Sequence, residues 1–350
     1  MKMSLSSPLK TIALSLPAAG YYSVQRIREE AYRAGILESQ AAGLPVVSVG
    51  NILLGGSGKT PFVIYLAEML HGRGFRPVVV SRGYRGSYQA RHLVVSDGRS
   101  GVPLVEPELC GDEPFLIARR LPYVPVLVGR RRIEPVTAAG LLFRPDLVIL
   151  DDGFQHLPLQ RDADIVLLNG TEDRMFPLGR LREPMSALKR ADIAVLVGED
   201  ATVPEPAKQY LRDIPVFRCR QVPLSVETSE GSLPVDHYAD RDVSLVSGIA
   251  SPERFRHTAN KLGWRVNEHL VFPDHYCLTE TEIRDIHSRA GALPIVVTEK
   301  DWVKLPARVK ESGRLAALRI GIVMDDEDAF WSRLVMRLPE RRSSGDASPP

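Results

Sequence analysis

The chain has 350 residues, room for two domains of ordinary size. Its 45 Lys+Arg stand against 43 Asp+Glu, a balance that argues against nucleic-acid binding through bulk charge, and its 44% hydrophobic and 25% charged residues are those of a globular chain. Cys110, Cys219 and Cys277 are far apart with no CxxC pair, which argues against a disulfide framework or structural zinc, and no segment approaches the roughly 20 apolar residues of a membrane-spanning helix.

The first element is an uncharged stretch at 11–25, preceded by Lys2 and Lys10 and followed by Arg26, Arg28 and Arg33. A secretory signal peptide has this order of basic, apolar and small-residue regions, with Ala18-Ala19-Gly20 in the place of a cleavage site. A spanning helix needs a longer run, and Pro17 and Gly20 interrupt this one. An interfacial helix would set Tyr21 and Tyr22 at the headgroup edge and its arginines on anionic lipid. Packing on the protein's own core is the plain alternative.

A regular alternation follows. Val46-Val47-Ser48-Val49 is a short apolar run ending at Gly50. Val63, Leu66, Ala67 and Leu70 then fall at i, i+3, i+4, i+7, one face of a helix stopped by Gly72 and Gly74. Further strands are predicted at 77–81, 124–128, 147–150, 165–168 and 193–197, with helices at 113–121 and 132–142 between them. This pattern means an α/β fold, a doubly wound and mostly parallel sheet. Residues 214–241 change character and read as a hinge ribbon. A second, smaller α/β block comes next, with strands at 243–247, 295–298 and 318–324 and helices at 252–262 and 328–338. The polar tail RRSSGDASPP reads as disordered. The expected organisation is therefore 1–38, 39–213, 214–241, 242–338 and 339–350.

The strongest chemical signal is VGNILLGGSGKTP between the first strand and its helix. Gly58, Lys59 and Thr60 satisfy the end of the Walker A pattern, while Leu53 stands at its first glycine. Gly55, Gly56 and Ser57 supply a flexible loop whose N–H groups, with the helix N-terminus, would face phosphate oxygens. Lys59 would neutralise the β/γ charge, and the Thr60 hydroxyl would ligate magnesium. A Gly-rich turn with a chance GKT is the alternative. A phosphate loop implies cytoplasmic ATP, which favours the interfacial helix over the signal peptide at 11–25.

RPDLVILDDGFQH ends an apolar strand in Asp151-Asp152, and adjacent carboxylates at a strand end point to Mg²⁺. A strand-terminal turn is the plain reading of DDG by itself. Gln155 and His156 could face the same crevice. Ligands of open α/β sheets bind beyond the carboxyl ends of the strands, where several polar loops fall. SRGYRG offers Arg82 and Tyr84; CGDEP offers Asp112 and Glu113, as a general base or as helix-capping residues; VGRRR offers an arginine for a transferring phosphoryl group; GRLREP offers Arg182 and Glu183. FPDHY puts His275 in a loop, and Lys300-Asp301 of TEKDWVKL reads as a salt-bridged turn.

These motifs occur together in an order and spacing that resemble the tetraacyldisaccharide 4'-kinase family over nearly the whole chain. The resemblance implies a P-loop NTPase-like domain and a second α/β domain joined by a β-ribbon hinge. It implies γ-phosphoryl transfer from ATP, with Mg²⁺, to the 4'-hydroxyl of an acylated disaccharide 1-phosphate lipid, in lipid A biosynthesis. It places the enzyme on the inner-membrane surface, at the cytoplasmic face, held by the N-terminal helix, with no nucleic-acid partner. By that resemblance Asp112 is the general base and His275 its partner. Lys59 and Thr60 serve the phosphate loop, Asp151 and Asp152 the magnesium, and Arg132 the transferring phosphate. Gln155, Glu113, Glu183, Arg82 and Tyr84 are further cleft residues. A P-loop enzyme acting on a soluble metabolite, or a membrane-associated ATPase switch, is the alternative; the many polar strand-end loops favour a two-substrate enzyme.

Overall fold

The computed structural model describes residues 8–170, 173–311 and 313–339. The predicted tail lies outside them beyond residue 339. In chain order the first part runs α1 (Pro8–Arg33), β1 (Val46–Gly50), α2 (Lys59–Gly72), β2 (Pro77–Ser81), β3 (Leu93–Asp97), α3 (Pro107–Cys110), α4 (Asp112–Arg120), β4 (Pro125–Val128), α5 (Ile133–Phe143), β5 (Leu147–Asp151), β6 (Ala163–Leu168), β7 (Ile193–Val197) and α6 (Glu205–Lys208). It continues with β8 (Val216–Glu227), β9 (Ser232–Leu233), β10 (Asp242–Ser247), α7 (Pro252–Lys261), β11 (Arg265–Val271), α8 (Glu280–Ala290), β12 (Ile295–Thr298), α9 (Glu299–Trp302), α10 (Ala307–Lys310), β13 (Leu315–Met324) and α11 (Glu327–Val335).

The strands form one sheet in the order β11-β10-β12-β13-β8-β7-β6-β1-β5-β2-β4-β3, with β9 beside β8. β1 is buried along its whole length between parallel β5 and β6. Such strands read as continuous apolar runs, which is why β1, β2, β5, β6 and β7 are legible. Among the described strands, antiparallel pairing joins β3 to β4, β9 to β8 and β8 to β13. The 12-residue β8 is the seam: its start pairs parallel with β7, and its later part runs antiparallel to β13. The extended segment expected at 214–241 is thus in large part a strand inside the sheet.

Helices cover both faces. α2 is buried on nearly every side and packs with Val47, Val49, Val79 and Ile149 in one core cluster. α5 packs the opposite face with Val46, Val78, Val148 and Leu150. The last helix, α11, returns to α2: Phe330 meets Phe62 edge-on at 6.1 Å, and Tyr65 donates to Glu327 Oε2 at 2.8 Å. The helix expected at 328–338 therefore packs on the core of the earlier strands, together with Ile322 and Met324 at the end of β13. α1 continues through Pro17, which the sequence marks as an interruption; the helix absorbs it.

Candidate functional site

The site grows from the carboxyl ends of β1, β5 and β2, which lie side by side. β1 runs into Asn51, and the loop from there to Gly58 turns the chain into α2. Gly55 and Gly58 have φ of +97° and +81°, a backbone region that side chains disfavour. A Cβ on Gly58 would also stand 2.8 Å from Gln221 Nε2 of β8. Leu53 is buried against Leu181, and Leu54 N–H donates to Arg180 O at 2.7 Å. The residue at the missing Walker glycine thus anchors the loop to the 180–183 segment. Gly56 lies close to Ala250, since a Cβ there would be 3.7 Å from the alanine methyl.

Lys59 Nζ donates to Asn51 Oδ1 at 3.2 Å and pairs with Asp152 Oδ1 at 3.4 Å. Arg182 grips Asp152 with two nitrogens, at 3.0 and 2.8 Å, and also donates to Asn51 Oδ1. Burial opposes charge on Asp152, but Lys59 and Arg182 outweigh it and hold this carboxyl well below its usual range. Asp151 is its opposite. It is 2% exposed, and Ser81 of β2 donates to its Oδ2 at 2.8 Å. Burial, then the carboxylates of Glu113 and Asp152, push its pKa up to about 7.

A carboxylate oxygen, Asp151 Oδ1, is buried with no hydrogen-bond partner, and Asn51 Nδ2, Ser57 Oγ and Arg132 Nε share that condition. Unsatisfied polar atoms gathered at one place are costly unless a polar ligand completes them. Asp151, Asp152 and the Thr60 hydroxyl at the start of α2 are hard oxygen donors, the set that magnesium takes. The residues present fit that ion.

Arg132, buried before α5, is held by Gly129 O at 3.5 Å and Arg130 O at 3.2 Å. Burial and then Arg82 lower its pKa, against the fields of Asp152 and Asp151, so both arginines share one electrostatic neighbourhood with the carboxylate pair. Gln155 Nε2 donates to Asn51 O at 2.8 Å and to Glu183 Oε2 at 2.9 Å. Glu183 is buried and also accepts from Arg190 Nη2 at 2.9 and 3.0 Å. It is therefore a structural partner of the cleft wall, not an open ligand-binding group.

The second centre joins distant segments. Asp112 opens α4, and the residue before it, Gly111 (φ +93°), lies against the SRGYRG loop: a Cβ there would be 2.4 Å from Tyr84 O. Gly111 and not Asp112 occupies the cap position, which leaves the Asp112 carboxylate to other work. Its Oδ2 lies 2.9 Å from His275 Nδ1. Tyr84, exposed, meets the His275 ring edge-on at 5.7 Å. His275 has φ +63°, and Arg85 Nη1 donates to the carbonyls of Asp274 and His275 at 3.4 and 3.3 Å.

Sequence reasoning passed over Asn51, Ser81, Arg190 and the second partner of His275: Lys300 Nζ lies 3.1 Å from His275 Nε2. Lys300 does not pair with Asp301, which binds Lys304 at 2.8 Å instead. Strand-end position is the signal for Asn51 and Ser81. Nothing local marks the other two.

Known proteins resemble this chain along most of its length. The profile of the family described as tetraacyldisaccharide-1-P 4'-kinase matches residues 11–339. A tetraacyldisaccharide 4'-kinase of Pelobacter propionicus is 35% identical over 90% of this chain and 89% of its own length. One from Anaeromyxobacter sp. strain K is 38% identical over 92% of this chain and 88% of its own. A crystal structure of the "apo" form of LpxK from Aquifex aeolicus, in complex with ATP, superposes with a TM-score of 0.79 at 32% identity, covering 93% of this chain and 99% of that one.

Proposed function

The chain belongs to the tetraacyldisaccharide-1-P 4'-kinase family, and we propose that Asp112, oriented by His275, is the base of its reaction. The protein is an ATP-dependent kinase that moves the γ-phosphoryl of ATP to the 4'-hydroxyl of tetraacyldisaccharide 1-phosphate, in lipid A synthesis. Phosphoryl transfer asks for alignment and charge neutralisation more than for covalent chemistry. The glycine loop and the N-terminus of α2 receive the phosphates. Lys59, held by Asn51 and Asp152, is poised to meet the β/γ oxygens, and Arg132 faces the charge that spreads over the transferring group. Asp151, Asp152 and Thr60 would hold magnesium, which would supply neutralisation of the phosphate charge.

The 4'-oxygen bonds to the γ-phosphorus as the bond to the bridging oxygen of ADP breaks. The hydroxyl proton passes to Asp112, whose Oδ2 is oriented by the imidazole of His275. Arg82 and Tyr84 form the outer wall for the sugar, and Glu113 stands beside the base. The observation that carries this reading is the 2.9 Å contact between Asp112 of α4 and His275 of the loop after β11. Residues 39–213 together with α11, and residues 242–324, would act as two bodies hinged near β8, so that closure assembles this pair and excludes water. Among the described residues no helix is long and apolar enough to cross a membrane. An acylated substrate stays in a bilayer, ATP is cytoplasmic, and α1 exposes Leu16, Val24 and Ile27, so we assign the enzyme to the membrane surface, at the cytoplasmic face, through α1.

The test is incubation with Mg-ATP and the disaccharide 1-phosphate lipid, read by mass spectrometry for one added phosphate. Asp112→Asn should lower kcat by about 10²–10⁴-fold, the size of general-base work. Lys59→Ala should abolish transfer. Parental turnover in either variant removes the role given to that residue.

A further inference from the structure

We propose that Lys300 is a positioning residue for the transfer: it occupies Nε2 of His275, fixes the imidazole in its neutral Nδ1–H form, and so commits Asp112 to accept the substrate proton. The inference rests on the base assignment of Asp112 and extends it.

Lys300 lies in α9, just past β12. Its Nζ is 3.1 Å from His275 Nε2, 3.2 Å from Glu113 Oε1 and 3.5 Å from Asp274 Oδ1. An ammonium has three hydrogens and no lone pair. Three acceptors surround it here, so Nε2 presents a lone pair to Lys300 and the ring proton sits on Nδ1. That proton is directed at Asp112 Oδ2, 2.9 Å away. A doubly protonated ring would point its Nε2–H at the ammonium.

The other groups facing the ring are few. Asp274 Oδ1 is 3.9 Å from Nε2, Tyr84 presents its ring edge, and the Arg85 guanidinium holds the backbone carbonyl of His275. Of the two cations, Lys300 is the one that touches a ring nitrogen, as Asp112 touches the other. The loop backbone is fixed separately: His275 N–H donates to Gly248 O at 3.2 Å, Gly248 N–H to Asp301 Oδ2 at 3.0 Å, and Lys304 Nζ to Tyr276 O at 3.0 Å. Removing the Lys300 ammonium therefore frees the ring's tautomer without unfastening the loop.

The proton balance follows. Nδ1 already carries a hydrogen and the Nε2 lone pair is taken, so His275 does not receive the proton of the 4'-hydroxyl. It rests on Asp112 as the O–P bond forms and leaves to solvent after release. Lys300 also grips Glu113, the residue next to Asp112, so one ammonium joins the start of α4 to the ring of His275.

The experiment compares Lys300→Met, Lys300→Arg and Asp112→Asn in the full chain with Mg-ATP and detergent-dispersed disaccharide 1-phosphate lipid. Lys300→Met should lower kcat roughly 10–100-fold, less than the loss of a triad's orienting carboxylate, with the KM for ATP within about twofold. Lys300→Arg should restore most of the parental kcat. ¹⁵N NMR of histidine-labelled protein, with His275 assigned by its loss in His275→Gln, should show the Nδ1–H tautomer in the parent and in Lys300→Arg and a mixture of tautomers in Lys300→Met. Parental kcat and an unchanged tautomer in Lys300→Met overturn the inference. So does a fall in kcat with the tautomer unchanged and no recovery in Lys300→Arg, the mark of a merely structural residue. Parental turnover in Asp112→Asn would instead overturn the base assignment, whatever Lys300 does.

Discussion

Single residues at this site are set apart by their neighbours more than by their type. Asp151 and Asp152 are adjacent, yet burial and two carboxylates raise one while Lys59 and Arg182 hold the other ionised. His156 shows the same principle in a base. Burial first, then the guanidinium groups of Arg132, Arg161, Arg28 and Arg82, bring it from 6.5 down to about 3. The unfolded chain binds that proton at the higher pH. The neutral imidazole is thus compatible with full stability above 6.5, and stability is lost progressively as pH falls from there toward about 3. His156→Asn should narrow the drop in urea midpoint between about pH 7.5 and about pH 5 relative to the parent. Equal drops in both proteins would mean that His156 does not carry this acid sensitivity. Of this chemistry, Lys59, Thr60, Asp151 and Asp152 are legible because their neighbours are sequential: a strand, a loop, a helix. Asp112 is ambiguous in sequence, since a carboxylate at a helix start reads equally well as a cap. Lys300 and Arg190 are invisible there, because what defines them lies 25 and 161 residues away.

At the scale of elements, α1 is joined to the site by charge. Arg190 Nη1 donates to Glu29 at 2.7 Å while its Nη2 holds Glu183, and the guanidinium lies 4.5 Å from the centre of the Phe154 ring. Arg28 Nη2 donates to Gln155 O at 3.1 Å, and Gln155 in turn reaches Asn51 at the base of the phosphate loop. Removing the central cation leaves two mostly buried carboxylates unpaired, a loss of about 3–5 kcal/mol where burial is complete. Arg190→Met should lower the unfolding midpoint clearly and also raise the KM for ATP, since the chain of contacts ends beside Lys59. Adding Glu29→Gln should recover part of the stability. A midpoint equal to the parent's would show that the triad is electrostatically idle. Elements were legible where periodicity is simple. β3, β11 and α8 were not, for separate reasons. β3 and β11 lie at the sheet edges, and β11 sets Arg265, Asn267, Glu268 and His269 among only three apolar residues. α8 has few core residues, but Thr279 and Glu282 form a reciprocal capping box, a local signal that marks its start.

Across the whole molecule, the two parallel blocks meet at the β8–β13 seam, and a buried pair crosses beside it. Arg120 at the end of α4 binds both oxygens of Glu299 at 2.9 Å, and Glu299 also accepts from Ile320 N–H of β13 at 3.0 Å. α4 carries Asp112 at its other end, and Glu299 is next to Lys300, so the seam sets the distance between Asp112 and Lys300. No sequence pattern marks such a joint, because each half is satisfied within its own periodicity. The same coupling reaches the substrate's location. The face of α1 away from Gln155 and Glu183 presents Leu16, Val24 and Ile27, exposed by 81%, 61% and 70%, at spacings that fall on one side of a helix. A lipid with four acyl chains stays in a bilayer, and immersing these side chains in its boundary would contribute about 1–2 kcal/mol each. The double variant Leu16→Glu, Ile27→Glu should therefore lose most of its co-flotation with vesicles of anionic phospholipid. Its turnover on vesicle-embedded lipid should fall, while turnover on detergent-dispersed lipid and ATP binding stay near parental values, because neither residue touches the Gln155–Glu183 wall. Undiminished flotation would mean that α1 is not the membrane contact. A parallel loss of detergent-phase activity would mean that the stripe serves the protein's own fold instead.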